Sequence, residues 1–136
     1  MVIMEILKAA GTGREGTYMA LIRLELHEHP APRHHEIREK TVLDSADRIV
    51  GTVANLYVDE DSRQLRFVDV LTMSGLLGLE RRHHLLPVEA VREEGLGSIT
   101  LGVDQQSVQS APVFPNLHVV PDEEYQRTIR DHYGLI

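Results

Sequence analysis

The chain's most chemically suggestive residues are its histidines. There are 8 of them, and His27, His29, His34 and His35 crowd one short stretch. On a strand, His27 and His29 would share a face, and neutral imidazoles ligate zinc or nickel. Cysteine is absent, so no disulfide, thiol nucleophile or Cys-ligated metal is available. Pro30 and Pro32 leave the four rings without a shared geometry. The stretch therefore reads as a solvated loop, and neither a metal nor any other cofactor is assigned. A second run, Glu80-Arg81-Arg82-His83-His84, has the residue types of a proton relay or an anion site. Successive strand side chains point to opposite faces, so His83 and His84 would not line one site. The plainer reading is a solvated run leading into a strand.

Other candidate motifs fail on context. Gly11-Thr12-Gly13-Arg14-Glu15-Gly16 matches G-x-G-x-x-G, but a dinucleotide site needs it between a strand and a helix. Here the following residues alternate like a strand, and Pro30 and Pro32 break the chain before Glu36, so a hairpin loop is expected. Asp59-Glu60-Asp61 lacks the spacing of a calcium loop and reads as a polar turn. No G-x-S-x-G, H-E-x-x-H or P-loop pattern occurs. No catalytic residue is assigned, and the expectation is a non-enzymatic protein.

The elements that would position these residues are mostly short strands. Tyr18–Leu26 alternates, with Ala20, Ile22, Leu24 and Leu26 on one side, and a hairpin with Val2–Lys8 is expected. A helix is also conceivable, since Met19, Ile22 and Leu26 share a helical face. Further strands are expected at Thr41–Leu43, Ile49–Val58, Leu65–Leu71, His83–Val88 and Ile99–Val103. Turns are expected at Asp44–Asp47, Asp59–Ser62, Ser74–Arg82 and Val91–Gly97. Gly51 suggests a bulge or tight bend, and Pro87 an edge or bulge position. Val53, Leu56, Val58, Phe67, Val70, Leu86, Ile99 and Leu101 form the expected core. Gln105–Val120 reads as mostly irregular. A helix follows from Pro121, with Asp122 as N-cap, Tyr125 and Ile129 on an apolar stripe, and Gly134 as a stop.

Composition limits the function classes. The 136 residues suit one domain. The net charge of -7 argues against nucleic acid as a partner, because phosphate contacts need a basic face. No apolar run reaches the roughly 20 residues of a membrane span, and the N-terminus lacks the basic start of a signal peptide. A cytoplasmic protein is expected, with no direct membrane insertion and membrane contact only through a partner complex.

The central residues resemble the PRC-barrel family, named after the photosynthetic reaction centre H subunit. Asp47-Arg48-Ile49-Val50-Gly51-Thr52-Val53 is similar to the family's opening strand, and Leu56-Tyr57-Val58-Asp59 to its next strand end. Leu76-Leu77-Gly78-Leu79 and Leu85-Leu86-Pro87-Val88 resemble its glycine loop and following strand. The tail from Pro121-Asp122-Glu123-Glu124-Tyr125 to Tyr133-Gly134 is also similar. The resemblance implies a small β-barrel and a largely non-enzymatic role. In the H subunit the barrel caps the cytoplasmic face and helps protons reach a quinone. In a ribosome maturation factor it helps bind a ribosomal protein.

The expected fold is thus mainly β: an arm or hairpin with a His/Pro-rich loop at 1–40, a PRC-type barrel at 41–104, and an extension with a short helix at 105–136. The expected function is a protein-binding or assembly module acting on a protein partner or a second copy. Leu76, Leu77, Leu79, Tyr125 and Ile129 are its expected contacts, since adjacent leucines in a turn cannot all enter one small core. The alternative is a soluble counterpart of the reaction-centre H subunit, with Glu80, His83 and His84 relaying protons. The helix must dock on the barrel or on a second copy through Tyr125 and Ile129, being too short to stand alone.

Overall fold

Alternation of apolar and polar residues builds the strands, and bulges bend them around one core. The computed structural model describes residues 20–74, 76–114 and 120–135. Its strands are β1 (Leu21–Arg23), β2 (Thr41–Leu43), β3 (Ile49–Asp59), β4 (Leu65–Ser74), β5 (Glu80–Pro87), β6 (Val91–Glu94) and β7 (Ser98–Leu101). Two helices follow, α1 (Gln105–Gln109) and α2 (Glu123–His132). The strands form one sheet in the order β5-β4-β3-β2-β7-β6, with β1 beside β3. All pairings are antiparallel except β2 with β7.

The long strand β3 is the spine. One edge pairs with β4. The other carries β2 against its first half and β1 against its last residues. Register shifts between β3 and β4 fall at Val53/Asn55, where β3 carries the extra residue, and at Tyr57/Val58, where β4 carries it, and each increases twist. Gly51 serves the same bend: a Cβ there would lie 2.1 Å from the Leu71 carbonyl oxygen, so only glycine admits this approach of β3 to β4. The sheet coils into a barrel whose hydrogen-bonded path stays open between its end strands, β5 and β6. A 3-10 turn at Val88–Ala90 carries the chain from one to the other.

The sheet has an apolar cluster on each face. Inside the barrel, Val42, Val53, Leu56, Val58, Val68, Val70, Leu86, Ile99 and Leu101 pack with Val108 of α1. Outside it, Leu21, Tyr57, Phe67, Leu85, Phe114 and Ile129 form a second cluster under α2. Every residue of the expected core is buried, but Phe67 belongs to the outer cluster. Asp122 caps α2 by accepting the Tyr125 N–H at 2.8 Å, and Gly134 leaves it in the left-handed region with φ +74°.

Several expectations are corrected. The strand near Tyr18–Leu26 is short and pairs with β3, while Val2–Lys8 and the Gly11–Gly16 stretch lie outside the described residues. Leu26, expected beside Leu24, is 91% exposed because the strand ends before it. Val91–Glu94 is a strand instead of a turn, held by β7. Glu80–Arg82 belongs to β5. Gln105–Gln109 is helical because Asp104 caps it, accepting the Ser107 N–H. Buried Asp44 fixes the approach to this helix by accepting the N–H groups of Ala46, Arg48 and Gln105.

Candidate functional site

The β4–β5 hairpin outruns the rest of the sheet. β3 makes its last rung with β4 at Thr52–Leu71, but β4 and β5 stay paired through Thr72–Arg82, Met73–Arg81 and Ser74–Glu80. The turn at Leu76–Gly78 then reverses the chain, with Leu77 at φ 63° and Gly78 at φ 65°. A left-handed leucine is strained, and such strain persists where the surroundings fix it. Leu76, Leu77 and Leu79 are 86%, 83% and 76% exposed, and Met73 is exposed beside them. Covering one leucine is worth about 1.5–3 kcal/mol, so this tip holds back a sizeable apolar contribution from the fold. Arg81 follows directly, exposed on β5.

Tyr125 and Ile129, expected with these leucines on the contact surface, are elsewhere. Ile129 is fully buried in the outer cluster, and Tyr125 packs against it. The Tyr125 ring lies 5.2 Å from that of Phe114, and its hydroxyl donates to the Pro112 carbonyl at 3.2 Å. Docking on the barrel consumes the helix's apolar stripe, so neither residue joins the hairpin tip.

The proposed relay residues do not converge either. His83 and His84 sit on opposite faces of β5: His84 is buried opposite Val70, and His83 lies opposite Leu71. Glu80 is exposed and accepts from Arg82 at 3.4 Å. His83 instead meets a residue that the sequence reading passed over, Asp69. Its Nδ1 lies 2.9 Å from the Asp69 carboxylate, which also accepts from Asn55 Nδ2 at 2.8 Å. The cluster thus spans β3, β4 and β5.

Asp69 is fully buried on the face it shares with Tyr57, Phe67 and Leu85. Burial pushes its carboxyl up, against the opposing pull of the Asn55 and His83 hydrogen bonds. The neighbouring Tyr57 hydroxyl is pushed up to about 12, by burial first and by Asp69 next. Chemically, the pair can hold a proton between a buried carboxylate and a partly exposed imidazole. Structurally, it pins three strands together. The signal for it was present in Val68-Asp69-Val70, an aspartate flanked by valines in a strand.

In the histidine-rich loop, His34 and His35 meet edge to face, with ring centroids 4.5 Å apart. His29 Nδ1 lies 3.1 Å from Glu36, which also binds Arg38, and His35 faces Glu94 at 3.8 Å. Among the described residues, no group of three or more His, Cys, Asp or Glu is placed to hold a metal ion. Asp59 closes its turn by accepting the N–H groups of Asp61 and Ser62. No helix among the described residues is long and apolar enough to cross a membrane.

Compared with curated proteins, the chain matches none. Compared with family models, residues 32–105 match the PRC-barrel domain. That span contains β2 to β7, the buried Asp69 cluster and the leucine-tipped hairpin. The chain belongs to the PRC-barrel family.

Proposed function

We propose that this chain is a non-enzymatic assembly module that inserts its β4–β5 hairpin tip into a protein partner. The carrying observation is the exposure of Leu76, Leu77 and Leu79 on one projecting turn. Clustered exposed apolar side chains mark interfaces, and a paired hairpin presents them at little conformational cost. The occupant that fits is an apolar protein cleft with a carboxylate at its rim. The leucines supply the apolar contact, and Arg81 borders them with positive charge on an otherwise acidic chain.

Affinity capture from the source organism's extract tests this, using wild type, Leu77→Asp and Arg81→Glu, with each variant's fold checked by circular dichroism. One partner should be retained by wild type, lost with Leu77→Asp, and weakened with Arg81→Glu. The reading fails if Leu77→Asp unfolds the chain or if both folded variants capture the same partner. Light scattering that shows a dimer abolished by Leu77→Asp would replace the partner with a second copy. Leucine-dependent binding to anionic vesicles would replace it with a membrane.

A further inference from the structure

α2 is a thin cover. Of its 10 residues, Gln126 and Ile129 are the buried ones. Ile129 and Tyr125 carry its apolar hold on the outer cluster, and the Tyr125 ring closes on Phe114. Two further ties are polar and exposed. Arg130 donates to Glu89 of the Val88–Ala90 turn at 3.2 Å, and His132 Nε2 donates to the Ser107 carbonyl of α1 at 2.7 Å. An element with few buried side chains and solvent-exposed bonds opens locally at less cost than the whole fold. α2 also lies outside residues 32–105, so the matched domain draws none of its strands from it.

The face beneath this cover is poorly suited to a dry contact. Asp69 is 0% exposed there, between Asn55 of β3 and Leu85 of β5. The Tyr57 hydroxyl is buried with no hydrogen-bond partner among the described residues. Buried polar groups are normally satisfied, and a carboxylate has room for several donors. Asp69 takes one bond from Asn55 and meets His83 of β5. Arg23 of β1 and Tyr57 of β3 also face the carboxyl, as does Tyr125 of α2. The Tyr125 hydroxyl is already spent on the Pro112 carbonyl. Closing α2 thus removes water from Asp69 without this hydroxyl replacing it.

We propose that α2 is a lid governed by the charge on Asp69: the neutral acid keeps it shut, and the carboxylate, which needs water, lifts it from the outer face. Ionisation is linked to opening because the open face hydrates the carboxylate. Burial raises the Asp69 pKa above 3.8 in the closed form, and water brings it back toward 3.8 in the open form. The opening constant therefore climbs as pH rises from 3.8 to the raised value, by up to about tenfold per pH unit, and is flat beyond it. Opening uncovers Tyr57, Phe67 and Leu85 while the β3–β4 and β4–β5 ladders stay paired.

Hydrogen exchange on the full chain from about pH 3 to about pH 7, corrected for the intrinsic rate at each pH, reads this opening. Amides of α2 should exchange through an opening of their own, at least about tenfold more frequent than that of β3 and β4. Its constant should climb with pH and then level. Asp69→Asn should flatten the profile. Ile129→Ala loosens the same docking without touching the carboxyl, so it should raise the constant by one factor at every pH. His83→Gln should keep the climb, which separates the carboxyl from the imidazole as the sensor. Should Asp69→Asn not fold, the wild-type and His83→Gln profiles carry the test. Exchange of α2 only together with β3 and β4 at every pH overturns the proposal. So does a wild-type profile that is flat, a climb that survives Asp69→Asn, or a climb lost with His83→Gln.

Discussion

Asp69 and His83 are bonded at 2.9 Å although they are not register partners: Asp69 lies opposite Leu85, and His83 opposite Leu71. The bond is therefore a diagonal brace between β4 and β5 on the face covered by α2. It gives the first prediction. Burial raises the folded-state pKa of Asp69 above its ordinary 3.8. Its favourable contribution is thus complete below 3.8 and lost as pH rises through the raised value. Asp69→Asn cannot ionise. The melting temperature of Asp69→Asn minus that of wild type should become more positive as pH rises from about 3 to about 7. A difference that stays flat across this range would show that burial does not dominate the site.

Asp44 has the opposite sign. Burial pushes its carboxyl up, but the N–H groups of Arg48, Ala46 and Gln105 outweigh it and bring the pKa down to about 2. Its stabilisation is present above 3.8 and is lost as pH falls through about 2. Asp44→Asn should melt lower than wild type at neutral pH, and the gap should close at pH 2. Acid titrations of both proteins by circular dichroism check this.

Gly51→Ala places a methyl group 2.1 Å from the Leu71 carbonyl oxygen, a backbone atom that cannot move without disturbing the β3–β4 ladder. Overpacking of this kind costs about 1–3 kcal/mol or more. Urea unfolding should show a lowered midpoint. An unchanged midpoint would mean that β3 does not press against β4 here.

Leu77→Gly should leave the isolated chain as stable as wild type, or up to about 1 kcal/mol more stable. Relief of the left-handed strain exceeds the backbone entropy that glycine adds. The same variant should lose partner affinity, which separates the side chain's role in contact from any role in folding. A clear drop in melting temperature would place Leu77 in the fold's own packing.

Ile129→Ala should cost about 2–5 kcal/mol, because Ile129 is fully buried against the outer cluster. Deleting Pro121 to Ile136 uncovers Phe67, Leu85 and Phe114 and should cause aggregation. A truncated chain that stays monomeric with unchanged melting would show that α2 does not cover this face.

Alternation made the strands and the inner core legible. Leu56 and Val58, and Ile99 and Leu101, lie where period two puts them, whereas Val53 joins their face only through the extra residue before Asn55. The same period cannot say that the opposite face is also covered. Tyr57, Phe67 and Leu85 are buried there under Phe114 and Ile129 of the C-terminal segment, with Leu21 of β1 beside them. This explains why Asp69 was overlooked; of the two dockings expected for Tyr125 and Ile129, on the barrel or on a second copy, the fold shows the first. The leucines were easier to read, since three of them within four residues of a turn exceed what one small core can accept. Pairing partners were not legible for short strands such as β1 and β6, which have too few residues to carry a pattern. The parallel β2–β7 pair left no local trace at all.

That parallel pair has a kinetic consequence. β3, β4 and β5 form a meander whose contacts close over short turns, whereas Thr41–Leu43 pairs with Ser98–Thr100 across the whole length of that meander. Closing the longer loop forfeits more chain entropy before any contact rewards it. The meander should therefore form first, with the β2–β7 seam joining late. Destabilising changes in β7 would then speed unfolding while leaving the refolding rate nearly untouched.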